Sequence, residues 1–294
     1  LGVNTVPMTV TEQTGNSNTC CATVTVDDNA GPTASRQNNT VQLDATGNAS
    51  ITAADIDDGS NDACVIAAIG ADMTSFDCTN TGANTVTLTV TDNNGNVSIC
   101  QSIVTVQDTV APIAVCQNVT TYLNATGNAT INAMDLDNGS SDACGGLTFS
   151  ASQTTFNCGT TGANNVTLTA TDAYGNTATC DATVTAIDTI APTAICQNVT
   201  YTLPNTLNAQ VTVMPSQLNN GSTDICTGST FTISRTVFQH VGTFPDTLFV
   251  TDASGNVSYC VSMATINDFT TPIALCNDTT IYLSGAGTSV ITAN

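Results

Sequence analysis

The chain has 294 residues, 41% of them hydrophobic, enough for two or three domains with apolar cores and inconsistent with a disordered polymer. Its 23 acids face only two bases, Arg36 and Arg235, with no lysine, for a formal charge of −21. A field of that sign repels phosphate, which excludes nucleic acid and anionic lipid as partners and makes divalent cations the natural counter-charge. No apolar run reaches the ~20 residues of a membrane helix, so no membrane insertion is expected. The opening LGVNTVPMTVTEQTGN has neither the basic nor the apolar region of a signal peptide and reads as the middle of a repeat.

Self-comparison gives the organisation. TEQTGNSNTCCATVTVDD (Thr11 to Asp28), TDNNGNVSICQSIVTVQD (Thr91 to Asp108), TDAYGNTATCDATVTAID (Thr171 to Asp188) and TDASGNVSYCVSMATIND (Thr251 to Asp268) align without gaps at a period of 80 residues. Each is followed by a junction in which Pro32, Pro112, Pro192 and Pro272 keep the same phase. The expected units are therefore 29–108, 109–188 and 189–268, preceded by the C-terminal part of a repeat (1–28) and followed by the N-terminal part of another (269–294).

Along one unit, APIAVCQNVTTYL, NATINA, LTFSAS and TTFNC are short strand candidates separated by Asn, Gly and Ser. NNVTLTATDA and TATCDATVTAI then alternate apolar and polar residues around the turn YGN, which predicts a hairpin. Six to eight short strands in 80 residues, without helical periodicity, predict an all-β fold of tandem Ig-like β-sandwich repeats. Cores this small and this poor in aromatics call for covalent or metal staples.

Thirteen cysteines with no C-x-x-C spacing read as disulfides formed in an oxidising, extracellular compartment. Pairing Cys64 with Cys78, and Cys144 with Cys158, closes loops of about 15 residues and contributes roughly 3 kcal/mol each. Pairing Cys116 with Cys180, and Cys196 with Cys260, ties the first strand of a unit to the start of its last, for ~4 kcal/mol. A rival pairing, Cys100 with Cys116 across the junction, stays open on sequence alone. Arg36 stands where other units carry Cys116 and Cys196, which orphans Cys100. His240 aligns with Cys158 and reads as leaving Cys226 without a partner, a decayed disulfide in preference to half a zinc site.

The stretch DIDDGSNDAC, returning as DLDNGSSDAC and QLNNGSTDIC, combines carboxylates with a glycine turn as calcium loops do. Candidate ligands are Asp55, Asp57, Asp58 and Asp62 in the first unit and Asp135, Asp137, Asn138 and Asp142 in the second; a solvated turn is the alternative. Gln217 and Asn219 replace two acids in the third unit, which should weaken its site. Asp92, Asp172 and Asp252 of TDxxGN read as turn caps sooner than as ligands. Asp28, Asp108, Asp188 and Asp268 stand at the junctions, where a cation could stiffen the hinge. No catalytic residues are expected: His240 is the one histidine, and no Ser or Cys nucleophile has a base near it in sequence.

The string TDxxGNxxxCxxxVTVxDxxAPxAxCQNVT resembles hyalin-type (HYR) repeats, and more closely the tandem repeats of very large surface proteins of Bacteroidota exported by the type IX system, gliding adhesins among them. The resemblance implies an Ig-like fold, cell-surface placement, an adhesive or filamentous role, and O-glycans at Thr109, Thr189 and Thr247. The leading expectation is a structural segment of an extracellular stalk or filament, disulfide-stapled and calcium-rigidified. Its partners would be neighbouring repeats of the same chain and other copies in a filament. A glycan- or surface-binding module using loops such as Val65 to Ser75, or an accessory region of a secreted hydrolase, are the alternatives.

Overall fold

The computed structural model describes residues 2–206, 208–271, 280–283 and 285–289. Pro272 and most of the expected 269–294 fragment lie outside the described residues. The chain divides into two compact units: unit 1 is Leu1–Thr121, Thr130–Thr155 and Gly162–Ala186, and unit 2 is Tyr122–Ala129, Phe156–Thr161 and Ile187–Asn294. The fold is all-β, with Ig-like sandwich repeats.

Unit 1 opens on a hairpin in which Gly2–Thr11 runs antiparallel to Ser17–Val26. The first 80-residue period then forms a four-stranded sheet around the antiparallel pair Gly82–Asp92 and Val97–Gln107. Alternation explains this hairpin: Val86, Leu88 and Val90 fall on one face and are fully buried, joined by Val104 and Val106 from the return strand. Asn39–Gln42 adds to Val97–Gln107 in parallel, and Ile66–Ala71 adds to Gly82–Asp92 antiparallel. Asn48–Ser50 and Ser75–Asp77 form a separate two-stranded sheet, and Phe76 packs with Leu43, Ile51 and Ile56 against the inward valines. Burying each such side chain stabilises the fold by about 1.5–3 kcal/mol. In the second period the sheet has the order Thr148–Ala151, Gly162–Thr171, Thr177–Ile187, Val119–Tyr122.

Unit 2 repeats the plan with Thr230–Ile233, Gly242–Thr251, Val257–Asn267 and, in parallel, Val199–Thr202. Its core gathers Leu203, Val213, Leu218, Phe238, Leu248, Val250 and Ile266. Asp246 is fully buried at an inward position of the hairpin. Its Oδ1 accepts hydrogen bonds from the Ser234 hydroxyl (2.6 Å) and the Arg235 amide (3.0 Å). The Arg235 guanidinium lies over Phe238 and Phe244, 5.3 and 5.4 Å from the ring centroids, a cation–π arrangement.

Candidate functional site: the disulfide clasp and the junction aspartates

The TDxxGN motif builds the hairpin turn and holds the junction to it. Asp92 Oδ1 accepts from the amides of Asn94 and Asn96, both at 2.8 Å, while Oδ2 accepts from the Asn96 side chain. Gly95 supplies the φ of +91° that this turn requires. The Asn96 side chain also donates to the carbonyls of Asp28 (3.0 Å) and Ala30 (3.2 Å). Asn176 donates likewise to Asp108 O, and Asn256 to Asp188 O. Burial opposes ionisation of Asp92 and Asp172, but the bonds from Asn96 and Asn176 together with the other amides of each turn outweigh it and hold both carboxyls below the usual range.

The CQN motif pins the acidic loop. Gln117 donates its amide to Leu136 O and its side chain to the carbonyls of Asp135 and Asp137. Gln37 makes the same side-chain bridge to Asp55 and Asp57.

Most of the loop acids serve local turns. Asp55 Oδ2 accepts from the Thr52 amide at 2.6 Å, and that bond first of all lowers its pKa. Asp135 Oδ2 does the same for the Asn132 amide at 2.8 Å. Asp57 Oδ1 accepts from Ser60, and Asp137 Oδ1 from the Ser140 amide at 3.0 Å; the Ser140 hydroxyl is the first cause of a lowered Asp137 pKa. Asp58 and Asn138 are exposed. The third repeat does the same work with neutral groups: Gln217 Oε1 accepts from the Met214 amide (2.8 Å) and Asn219 Oδ1 from the Ser222 amide (2.9 Å). A turn needs only an acceptor oxygen, which an amide supplies as well as a carboxylate.

The acids that do converge are Asp62 and Asp142, each with a junction aspartate. Asp28 with Asp62, Asp108 with Asp142, and Asp188 with Asp224 each place a carboxylate oxygen within 4.8 Å of the other, next to Cys64, Cys144 and Cys226. The junction member caps its own turn: Asp108 Oδ1 accepts from the Val110 amide at 3.0 Å. The loop member caps the cysteine: Asp142 Oδ2 accepts from the Cys144 amide at 2.7 Å, as Asp62 and Asp224 do for Cys64 and Cys226.

The cysteine pairing requires a correction. Cys116 is joined to Cys180, and Cys196 to Cys260, each within one period. The short loops expected from Cys64 to Cys78 and from Cys144 to Cys158 do not form. Cys78 is bonded instead to Cys144, and Cys158 to Cys226, each bond joining one period to the next across Cα separations of 5.2 Å. Cys226 is therefore not orphaned by His240; its partner is Cys158. Cys64 occupies the same position as Cys144 and Cys226 but is a free thiol, as are Cys20, Cys21 and Cys100. The Asp28 carboxylate beside Cys64 holds that thiol above its ordinary pKa.

Local chemistry aims the clasp. Cys78 begins a short 3₁₀ turn, Cys78–Asn80, capped by Asp77, whose Oδ1 accepts from the Thr79 amide at 2.8 Å, while Asn80 Oδ1 accepts from the Asp77 amide. Cys158 begins the equivalent turn, where Asn157 Oδ1 accepts from the Gly159 amide. The sulfur packs on a glycine: a Cβ on Gly47 (φ +77°) would meet Cys78 Sγ at 2.8 Å, and one on Gly127 (φ +73°) would meet Cys158 Sγ at 3.0 Å. Here sequence held an unread signal. ATGNA occurs in the two periods whose turn carries Cys78 or Cys158, whereas the period carrying His240 has PNTLNA instead.

Thr109 and Thr189 are exposed immediately after the junction aspartates, and Thr247 is half-buried within the strand Gly242–Thr251. Most of the Val65 to Ser75 segment is the strand Ile66–Ala71, at one edge of its sheet. No helix among the described residues is long and apolar enough to cross a membrane.

No protein-family model matches the sequence, and no curated protein matches it. Among solved structures the chain is similar to the protocadherin gamma-B4 extracellular domain, at 14% identity and a TM-score of 0.35, covering 90% of this chain and 53% of that one. This chain thus spans about half the length of that structure. It is also similar to titin domains I67–I69 (10% identity, TM-score 0.37, 81% of this chain and 99% of that one). A third similar structure is mouse cadherin-23 EC22–24 (12% identity, TM-score 0.35, covering 81% and 99%). These neighbours are Ig-like and cadherin-like repeat domains.

Proposed function

We propose that this chain is a structural segment of an extracellular stalk or surface filament in which successive β-sandwich repeats are stapled covalently to one another and rigidified by calcium. It performs no catalysis. The observation that carries this reading is the pair of clasp bonds, Cys78–Cys144 and Cys158–Cys226. A bond inside one repeat stabilises that repeat alone, whereas a bond between repeats also removes hinge freedom at the junction, a property useful to an array under tension and of no use to an isolated binding module. Disulfides persist in oxidising compartments, which supports secretion to the cell exterior. The HYR-like strings support a repeat of the kind found in large bacterial surface adhesins, and Thr109 and Thr189 are open to the O-glycans that resemblance implies.

Small-angle X-ray scattering tests the reading on the oxidised chain and on a variant with Cys78, Cys144, Cys158 and Cys226 all changed to Ala. Loss of the clasps should broaden the distribution of maximum dimensions while circular dichroism stays that of folded β-sheet. An unchanged distribution would remove the mechanical role of the clasps and with it the stalk reading.

A further inference from the structure

We propose that each junction binds one divalent cation, calcium by its donor chemistry, between the aspartate that ends one period and the aspartate two residues before the clasp cysteine of the next. Asp108 with Asp142 is the clearest case. This deepens the reading above and rests on it, since calcium sites of low affinity fill only outside the cell.

Two observations taken together set these pairs apart from the other acids. The first is burial without a partner, shared among the described carboxylates only with Asp246 Oδ2, which belongs to no converging group. Asp108 is 8% exposed, and its Oδ2 is buried with no hydrogen-bond partner, although an oxygen of Asp142 lies within 4.8 Å. The corresponding pairs each leave one such oxygen, Asp28 Oδ2 in the first and Asp224 Oδ1 in the third. A buried carboxylate oxygen without a donor is unfavourable, and a second carboxylate facing it makes matters worse unless a positive charge lies between them. Protein cations do not meet that need: the chain has no lysine, the Arg36 guanidinium donates to Asn38, and Arg235 lies over aromatic rings.

The second observation is where the chain substitutes amides. At the turn-capping positions the third repeat uses Gln217 and Asn219 in place of acids, and the turns form all the same. At the converging positions all three repeats keep Asp, although an asparagine at Asp142 would accept the Cys144 amide equally well. Charge is therefore required there for something other than the turn.

The donors are hard oxygens, and in the second and third repeats the neighbouring sulfur is committed to a disulfide, leaving no thiolate for a soft metal. A cleft of about 360 Å³ lined by Ala45, Val110, Ile113 and Ser141 opens onto Asp142, with room for the waters that complete a calcium shell. A similar cleft of about 300 Å³, lined by Ala125, Ile190, Thr193 and Thr223, opens onto Asp224.

Isothermal titration of the chelator-treated, oxidised full chain with calcium alone tests the assignment. Asp108→Asn and Asp142→Asn should each lower the stoichiometry by one ion, whereas Asp55→Asn and Asp137→Asn should leave it unchanged. A stoichiometry unaffected by Asp142→Asn, a loss on Asp137→Asn, or no saturable binding up to about 10 mM would overturn the site. Clasp bonds that survive in a non-reducing peptide map while calcium fails to bind would overturn the site and the calcium rigidification, and leave the covalently stapled stalk standing. A map lacking those bonds would instead remove the proposed function.

Discussion

Replacing Cys78 and Cys144 together by alanine removes one clasp without leaving a lone thiol. The bond spans 66 residues, so the chain-entropy argument assigns it about 4.3 kcal/mol, against roughly 3 for the 15-residue loops the cysteine spacing suggests. The interleaved bond Cys116–Cys180 does not weaken this figure, because the covalent detour through it runs about 74 residues and so offers no shorter route between the two cysteines. Both cysteines also pack at the edge of the Leu88 core, so trimming them adds a smaller loss of burial. Urea unfolding of the oxidised wild type and the double variant should therefore differ by about 4 kcal/mol. Adding reductant should bring the two curves together, apart from the small burial difference. A loss below about 1 kcal/mol, or a non-reducing mass-spectrometric map that finds Cys64 linked to Cys78 or Cys144 to Cys158, would refute the connectivity and the reasoning built on it.

Asn176→Ala removes the donor that ties the hairpin turn to Asp108 O and to the buried Asp172 carboxylate, and should cost about 1–3 kcal/mol in urea unfolding. Gly47→Ala places a methyl against Cys78 Sγ at a positive φ; it should destabilise the wild type by more than the ~1–2 kcal/mol of left-handed strain, and by less in the Cys78→Ala, Cys144→Ala background, as a double-mutant cycle will measure. Acid should act through Asp92 and Asp172, whose folded pKa lies below the unfolded value of about 3.9. Their contribution is complete above that value and is lost as pH falls through the folded pKa, so circular dichroism should show stability declining only below about pH 4. A decline centred near pH 6 would contradict this assignment.

The period, the alternating hairpins and the turn chemistry were determined by sequence alone, because each rests on residues a few positions apart: Val86, Leu88 and Val90 on one face, or Asp92 and Asn96 across a turn. The Ig-like class follows from the same local signals. What only the tertiary structure decided are the contacts whose partners lie far apart along the chain. Spacing favours closing short loops, which is why Cys64 with Cys78 reads as the natural pair. Yet the capped turn that presents Cys78 and the Asp142 turn that presents Cys144 come together across 66 residues, where loop length no longer ranks the alternatives. The acidic loop divides in the same way. From sequence, Asp55, Asp57, Asp62 and their neighbours form one cluster of equivalent carboxylates. In space most of them spend their oxygens on adjacent backbone amides, and only Asp62 and Asp142 turn toward the aspartate of a junction that sequence places 34 residues earlier.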